Sequence, residues 1–570
     1  MRGLFGWGEP TDDEGVISMI PEEYLPPQEM RPARVYLTPE VQEYPARINP
    51  ARELLDQNVE QGRGDRPALY FQDRVITFGS LQEQANRLGN VLASQGVEEE
   101  ERVVILSPNQ PLSLVANFAA MKLGAIPVPA SPLLSPPEVT WVVNNSEARA
   151  LLVHPAMLPL VQKARLDFAK EPVLLGLAPP SDDLAQAGLE SVLPLMEKAD
   201  ANLEPVLREK DRVGILLYTS GTTGKPKGVV HLVEEIIAVA DTFGRYGWKL
   251  GDDDVVFSPA PLAFAAGYGA MAVIPFRFGA AVSIMPRFEP EAAFETVQQH
   301  RATVLTILPT SYRRMLQVEG AEKRFDLSSV RMCTGGGEAL TAETYQQWLD
   351  RFGLEIFEGF GTTEMLYVFV SAAVTEKSKP GSIGTPVPGY EVKVVTEEGN
   401  EVGPGEIGRM VARGPTGTLY WRPLEESGRL MESQRHAVVG EGWNVVGDYL
   451  YPDEDGYFWF VSREDDLIKS SGYRIGPEEI EMVILKHPAV ADAGVIGVPD
   501  PMRGQNTKAF VVLMEGYAPS DELKQELIDF CRNEIAVYKL PRELEFVETL
   551  PRTVTGKLLR RVLRTGEQPA

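Results

Sequence analysis

Residues 213–231 read VGILLYTSGTTGKPKGVVH, and the kind of protein that folds around them follows from how they are read. The apolar run VGILL has the uninterrupted, β-branched texture of a buried strand. It runs directly into a loop where hydroxyls, glycines and two lysines crowd together. Gly221 and Gly224 let backbone N–H groups converge on anionic oxygens; Thr219, Ser220, Thr222 and Thr223 add hydroxyl donors, and Lys225 or Lys227 adds positive charge. The segment reads as a phosphate cradle. A plain Ser/Gly surface loop is the other reading, but it requires neither the buried strand nor two lysines framing Pro226. A Walker loop does not fit. It needs four residues between its glycines and a Ser or Thr after its lysine, whereas here Thr222 and Thr223 alone separate Gly221 from Gly224 and Pro226 follows Lys225.

Outward from this segment the chain alternates. The runs VVILSP, AIPVPASP, ALLVHP, PVLLGL, DVVFSPAP, AVSIMP and TVLTILPTS are short and apolar, mostly end in Pro, Gly or Ser, and are separated in several places by helical stretches. That rhythm predicts an α/β body of mostly parallel strands whose carboxyl ends feed functional loops. ARELLDQNVE predicts a helix, and ALYFQDRVITFGSL a strand hairpin entering a helix. Residues 1–45, rich in Pro and Glu, read as an extended arm laid over the body. After about residue 380, GTPVPGYEVKVVTEEGNEVGPGEIGRMVARGP predicts a small β subdomain, and SREDDLIKSSGYRIGPEEIEMVILKHPAV opens an α+β tail.

Composition narrows the function. The 570 residues carry 81 acidic and 55 basic side chains, a formal charge of -26. Such a field repels nucleic-acid backbones and anionic membrane surfaces, so no nucleic-acid partner is expected. The 105 residues from Asp466 onward hold 16 acidic and 14 basic side chains, which leaves the charge almost wholly in the body. Cys333 and Cys531 are too few and too far apart for a disulfide framework, and the five histidines lack ligand spacing for zinc. The start, MRGLFGWGEPTDDEG, turns acidic before a signal core forms, and no apolar run approaches the roughly 20 residues of a membrane span. A cytoplasmic protein is expected.

Further blocks follow the phosphate loop in order: CTGGGEAL (333–340), EGFGTTE (358–364), GWNVVGDYLYPDEDGYFWFVSREDD (442–466), IKSSGYRIGPEEIE (468–481) and PRTVTGKLLRR (551–561). Together they resemble the AMP-forming acyl-adenylate superfamily of acyl-CoA and aryl-CoA synthetases, luciferases and peptide-synthetase adenylation domains, over most of the chain from about residue 50. Within it, RELLDQNVEQGRGDRPAL, PLAFAAGYG, GTTEMLYVFVS and PVPGYEV look most like benzoate- and 2-aminobenzoate-CoA ligases. The resemblance implies a large N-terminal domain of stacked α/β subdomains plus a small β subdomain over 1–464, and a mobile α+β domain over 465–570. It implies ATP, Mg2+ and coenzyme A beside a small-molecule carboxylic acid, and leaves a homodimer open.

Roles carry over position by position. Thr219–Gly224 and Lys227 would hold phosphate. Gly337, Glu338 and Ala339, with Glu358, Gly359, Phe360 and Gly361, would line the adenine and ribose pocket; Phe360 offers a flat face for the base. Glu358 stands where relatives usually have Asp or Asn. Taken alone, GGG and a Gly-rich turn before a helix are also ordinary structural features. Thr363 would reach the α-phosphate and Glu364 would ligate Mg2+. Asp448, at a strand end, and Arg463 would bind the ribose hydroxyls, and Asp465 would be the hinge. Lys557 would bridge the attacking carboxylate and the α-phosphate. Gly472 would line the pantetheine tunnel with Tyr473, and Arg474 would follow phosphate. Arg560, Arg561 and Arg564 read as a solvated helix face, with attraction of CoA phosphates as the alternative.

The acyl pocket falls on Phe264, Ala265, Ala266, Gly267 and Tyr268, with Gly335 and Tyr367; small residues flanked by aromatics suit a flat ring or a slender chain. Tyr367 departs from the benzoate-like pattern, which typically has His there. Acid:CoA ligation of an aromatic acid such as a benzoate is the leading expectation. A medium-chain fatty acyl-CoA synthetase, or an adenylation enzyme loading a carrier, are the alternatives. With 13 residues after Lys557, any carrier is expected on a separate chain.

Overall fold

A computed structural model of the chain describes residues 20–219, 226–338, 340–375, 378–423, 434, 436–470, 473–500, 502–552 and 558–566. Two largely parallel sheets build the body. The first runs in the order Ile126–Ala130, Arg102–Leu106, Ala150–Val153, Val173–Gly176, Glu190–Ser191, all parallel. The first three of these are buried along their whole length, the condition under which a strand reads as a continuous apolar run.

The second sheet has nine strands. Its parallel centre is Pro67–Phe71, Ala281–Ile284, Val255–Ser258, Val304–Thr306, Met332–Gly336 and Ile356–Gly361. Arg74–Thr77 closes one edge antiparallel, as the hairpin reading predicts, and Val368–Ser371 followed by Thr385–Pro386 closes the other. The helix Phe78–Ser94 is capped by Thr77, whose hydroxyl accepts from the Ser80 amide at 3.2 Å. It buries Phe78, Leu81, Ala85, Leu88 and Leu92. Burying a side chain of that size contributes about 1.5–3 kcal/mol relative to exposure.

The parallel rhythm fails at the phosphate loop. Val213–Thr219 pairs antiparallel with Lys227–Leu232, Thr219 opposite Lys227. The seven residues 220–226 between these strands cannot make the crossover of a dozen or more that a parallel return needs. Of the arm read over 1–45, the described residues 20–45 lie against the body: the Ala33 and Val35 amides donate to the Gly442 and Gly414 carbonyls at 3.0 Å each. Tyr44 Oη donates to buried Asp241 at 2.7 Å.

Past the second sheet, Glu391–Val395, Gly408–Arg413, Trp443–Pro452, Val438–Val439 and Phe458–Arg463 form an antiparallel sheet, matching the turn-punctuated texture of that stretch. The tail has its own sheet, Tyr473–Ile475, Ile468–Ser470, Gly504–Leu513, Val490–Asp500 and Glu543–Phe546. Its core gathers Ile468, Ile480, Val495, Val511 and Leu527. Cys333 and Cys531 are free and buried in different cores. No described helix is long and apolar enough to cross a membrane.

One tail reading is overturned at Arg560 alone; Arg561 and Arg564 are exposed, as a solvated face requires. Arg560 is not on a solvated face and is not free for CoA: it is buried, donating to both Glu481 oxygens at 2.9 and 2.8 Å and pairing with Glu478 at 3.0 Å and Asp466 at 3.3 Å. Arg564 also pairs with Asp466, at 2.8 Å. Nothing local in LLRRVLR reveals those acidic partners, which come from residues 79 to 98 positions earlier in the chain.

Candidate functional site

The site grows from carboxyl ends of neighbouring parallel strands. Met332–Gly336 and Ile356–Gly361 run in register, Gly335 opposite Glu358 and Gly336 opposite Gly359. A Cβ at Gly336 would lie 2.4 Å from the Gly359 carbonyl oxygen, so a side chain there would force the two strands apart. Gly337 then turns the chain with φ +83°, and Glu338 accepts from Thr310 Oγ1 at 2.5 Å. Glu358 is buried. Its Oε1 accepts the Leu340 amide at 3.1 Å, and its Oε2 has no partner among the described residues. Burial pushes its pKa up to about 8, against the pull of the Leu340 amide.

Phe360 is half-exposed, set edge-on to Phe369 at 5.7 Å and tilted against Phe460 at 6.1 Å. The Gly-rich turn does not precede a helix. It leads through 362–367 into the antiparallel strand Val368–Ser371, tightened where a Cβ on Gly361 would meet the Tyr367 carbonyl oxygen at 2.4 Å. Inside this turn the Leu366 amide donates to the Thr363 carbonyl at 3.0 Å. Glu364 Oε1 accepts from Tyr420 Oη at 3.0 Å.

Tyr420 links this turn to the hairpin of Val213–Thr219 and Lys227–Leu232. The Trp421 amide donates to Gly228 O at 2.9 Å and the Val230 amide to Leu419 O at 2.8 Å, so 419–421 lies alongside Lys227–Leu232. Lys227 Nζ stands 5.8 Å from the Tyr420 ring centroid. Burial and the Glu364 carboxylate hold the Tyr420 hydroxyl well above its ordinary pKa, with Arg463 opposing. Asp448 and Arg463 are register partners on adjacent strands. Asp448 sits inside the ten-residue strand Trp443–Pro452 and not at its end; Gly447, at φ +80°, precedes it there. Desolvation lowers the Arg463 pKa, and the fields of Asp448, Glu364, Asp466 and Asp465 outweigh it, so the net shift is upward.

The structure thus brings Lys227 and Glu364 together at Tyr420, with Thr219 across from Lys227 and Thr363 next to Glu364; Arg463, opposite Asp448, lies within the electrostatic reach of both Glu364 and Tyr420. Asp465 lies in the exposed turn between Phe458–Arg463 and Ile468–Ser470. Tyr473 is exposed, opposite Ser470 on the neighbouring strand. Ser220, Gly221, Thr222, Thr223, Gly224, Ala339, Gly472 and Lys557 lie outside the described residues, as does the Arg474 side chain. The residues flanking the Lys557 segment are placed: Arg552 bridges to Leu558 and pairs with Asp492 at 2.7 Å. Arg313, 3.7 Å from Glu338, feels both Arg552 and Asp492, so the base of that segment borders the Glu338 loop.

Of the acyl-pocket residues, Ala266 is exposed and Phe264 half-buried, while Ala265 and Gly267 are buried in the turn that follows Val255–Ser258. Tyr268 is fully buried, with no hydrogen-bond partner for its Oη among the described residues. Tyr367 is buried against Phe243 at 5.6 Å and Trp248 at 5.8 Å, and presses on Gly269. Asn109 holds the loop from both sides, donating to Ala260 O and accepting the Leu262 amide, each at 2.9 Å. A separate cavity of about 420 Å³, lined by Arg74, Gln110, His154 and Leu193 among others, shares no residue with these loops.

The family model for AMP-binding enzymes matches residues 55–421, and that for the AMP-binding enzyme C-terminal domain matches residues 479–557. The chain belongs to the AMP-binding enzyme family. Within the family it falls among the AMP-forming acyl- and aryl-CoA ligases. The acetyl-coenzyme A synthetase of Bacillus subtilis is 34% identical over 536 residues, 91% of each chain. The benzoate–CoA ligase of Thauera aromatica is 33% identical over 536 residues, 93% of this chain and 98% of that one. Among solved structures, the anthranilate CoA ligase AuaEII in complex with anthranoyl-AMP superposes with TM-score 0.84 at 33% identity, covering 92% of this chain and 98% of that one.

Two points of this candidate site emerge only in three dimensions. Tyr420 was not legible in TLYWRP, where nothing but adjacent aromatics marks it; its importance comes from what it touches. The second point concerns the metal. Among the described residues no group of three or more His, Cys, Asp or Glu could cage an ion. Mg2+ needs no cage, since it is typically bound through one or two carboxylates and the substrate phosphates. Glu364, beside the Lys227 hairpin and with one oxygen already hydrogen-bonded, fits that demand.

Proposed function

We propose that this enzyme activates an aromatic carboxylic acid with ATP to an acyl adenylate and passes the acyl group to coenzyme A. The observation that carries the reading is the meeting of Lys227 and Glu364 at Tyr420, with the Asp448–Arg463 strand pair within the field of Glu364, because phosphate, metal and ribose functions are needed close to one another. The Thauera benzoate ligase and the anthranilate ligase with its bound anthranoyl-AMP favour an aromatic acid. An aliphatic acid is the second reading, favoured by the Bacillus acetyl-coenzyme A synthetase and by Tyr367, which stands packed in the core behind the acyl loop.

In this reading residues 219–224 and Lys227 hold the phosphates, and Phe360, Glu358 and residues 337–339 enclose the adenine. Asp448 accepts from the ribose hydroxyls with Arg463 beside it. Glu364 would hold Mg2+ together with the phosphates, and the ion would supply charge to offset theirs. Lys557 draws the acid carboxylate and the α-phosphate together despite their repulsion, the carboxylate oxygen attacks the α-phosphorus, and pyrophosphate leaves. Residues 465–570 then turn about Asp465, the CoA thiol enters past Gly472 and Tyr473, and its sulfur displaces AMP from the acyl carbon. No enzyme nucleophile is needed. The same reading divides the chain at 464/465 and has the enzyme act in the cytoplasm.

The test measures pyrophosphate and AMP release across benzoates, arylacetates, acetate and C4 to C10 fatty acids, with and without CoA. Turnover is expected to be CoA-dependent and highest with one aromatic acid. AMP release independent of CoA with every acid would overturn the ligase reading, and preference for an aliphatic acid would select the second.

A further inference from the structure

We infer that Tyr420 is a positioning residue for Glu364, its hydroxyl turning one carboxylate oxygen away so that the other faces the Mg2+ of bound MgATP. The inference rests on the reading of Glu364 as the metal-ligating carboxylate. Four observations support it. The hydroxyl donates to Glu364 Oε1 at 3.0 Å. Tyr420 is 8% exposed and Glu364 half-buried, so the donor's side of this bond is closed to solvent. Its backbone is clamped on both sides, the Tyr420 amide donating to Gln434 Oε1 at 3.1 Å and its neighbours pairing with Gly228 and Val230. Lys227 stands against the same ring at 5.8 Å. One side chain therefore connects the carboxylate, the phosphate lysine and the backbone of the phosphate hairpin.

A carboxylate on a surface turn rotates freely, and a metal that binds it must freeze that rotation. A fixed donor removes the cost beforehand, which is why partners of ligating carboxylates typically matter 10- to 100-fold in metal affinity or activity. The plainer role is packing: Tyr420 also sits among Val229 and Ala437. Tyr420→Phe separates the two roles, since it keeps the ring and removes the donor.

The experiment titrates ATP into the full-length enzyme by calorimetry at a series of Mg2+ concentrations and with EDTA, without acid or CoA, so that no turnover contributes. Tyr420→Phe is expected to raise the Mg2+ concentration for half-maximal enhancement of ATP binding about tenfold, leaving metal-free ATP binding and the thermal midpoint near wild type. Unchanged Mg2+ dependence in Tyr420→Phe overturns the inference, as does equal weakening with and without metal, the signature of packing alone. Glu364→Gln separates the two levels of the argument. If it too leaves the Mg2+ dependence unmoved, the reading of Glu364 has failed; if it shifts the dependence while Tyr420→Phe does not, the inference has failed on its own.

Discussion

Asp448 and Arg463 stand directly opposite each other on the antiparallel strands Trp443–Pro452 and Phe458–Arg463, and the field of Asp448 helps to raise the Arg463 pKa. A charged acceptor in that position binds hydroxyls more strongly than a neutral one, at about 1.5–3 kcal/mol per hydrogen bond. Asp448→Asn should therefore weaken ATP binding about 10- to 100-fold, with the far-ultraviolet spectrum unchanged. Calorimetric ATP titration checks it, and wild-type affinity would remove Asp448 from the ribose.

Glu358 predicts a stability that depends on pH in a definite direction. Its folded pKa, about 8, lies above the ordinary carboxyl value of 4.5, so between those values the folded state holds a proton that the unfolded state has released. The stability that this proton confers is complete below the unfolded pKa and is lost as pH rises toward 8. Glu358→Gln keeps the shape and removes the titration. The variant should melt increasingly above wild type as pH rises from 5 to 8.5, and equal pH slopes for the two proteins in calorimetric scans would refute the assignment.

Lys557→Ala should abolish adenylation while leaving thioester formation from supplied acyl-AMP nearly intact, because the lysine is needed where carboxylate and α-phosphate repel and not where the thiol attacks. Separate assays of the two half-reactions check this. Equal loss in both would deny it the assigned role.

Arg560→Met should cost about 3–5 kcal/mol, because it leaves Glu478 and Glu481 buried without their cation. The loss should shrink as pH falls. Burial already raises both carboxyl pKa values against the pull of Arg560, so without it they take up protons more readily and cease to be unpaired charges. Urea unfolding at pH 5.5 and 8 checks both the size and the sign, and a cost below 1 kcal/mol at pH 8 would count against the buried cluster.

Much of this was legible because it is local. Buried parallel strands appear as continuous apolar runs, so Arg102–Leu106 and Ala150–Val153 could be picked out from texture alone. The small antiparallel sheet and the tail's own sheet were likewise readable from changes in turn residues. What failed was non-local. The antiparallel return of Lys227–Leu232, the interior position of Asp448 and the hairpin after Gly361 all depend on pairing partners that a one-dimensional pattern does not name.

Arg560 and Tyr420 mark the division most sharply. Arg560 looks as solvated as its neighbours until Asp466, Glu478 and Glu481 close around it, and a tyrosine among aromatics looks like packing until its hydroxyl meets Glu364. By itself the sequence determined the α/β architecture, the order of the phosphate, adenine and lysine motifs, and the family they resemble, because covalent neighbours encode periodicity and loop chemistry. Only the tertiary structure decided which groups share a field. Charges and hydrogen bonds act over a few ångströms of space, and 56 positions of chain separate Tyr420 from the carboxylate it holds.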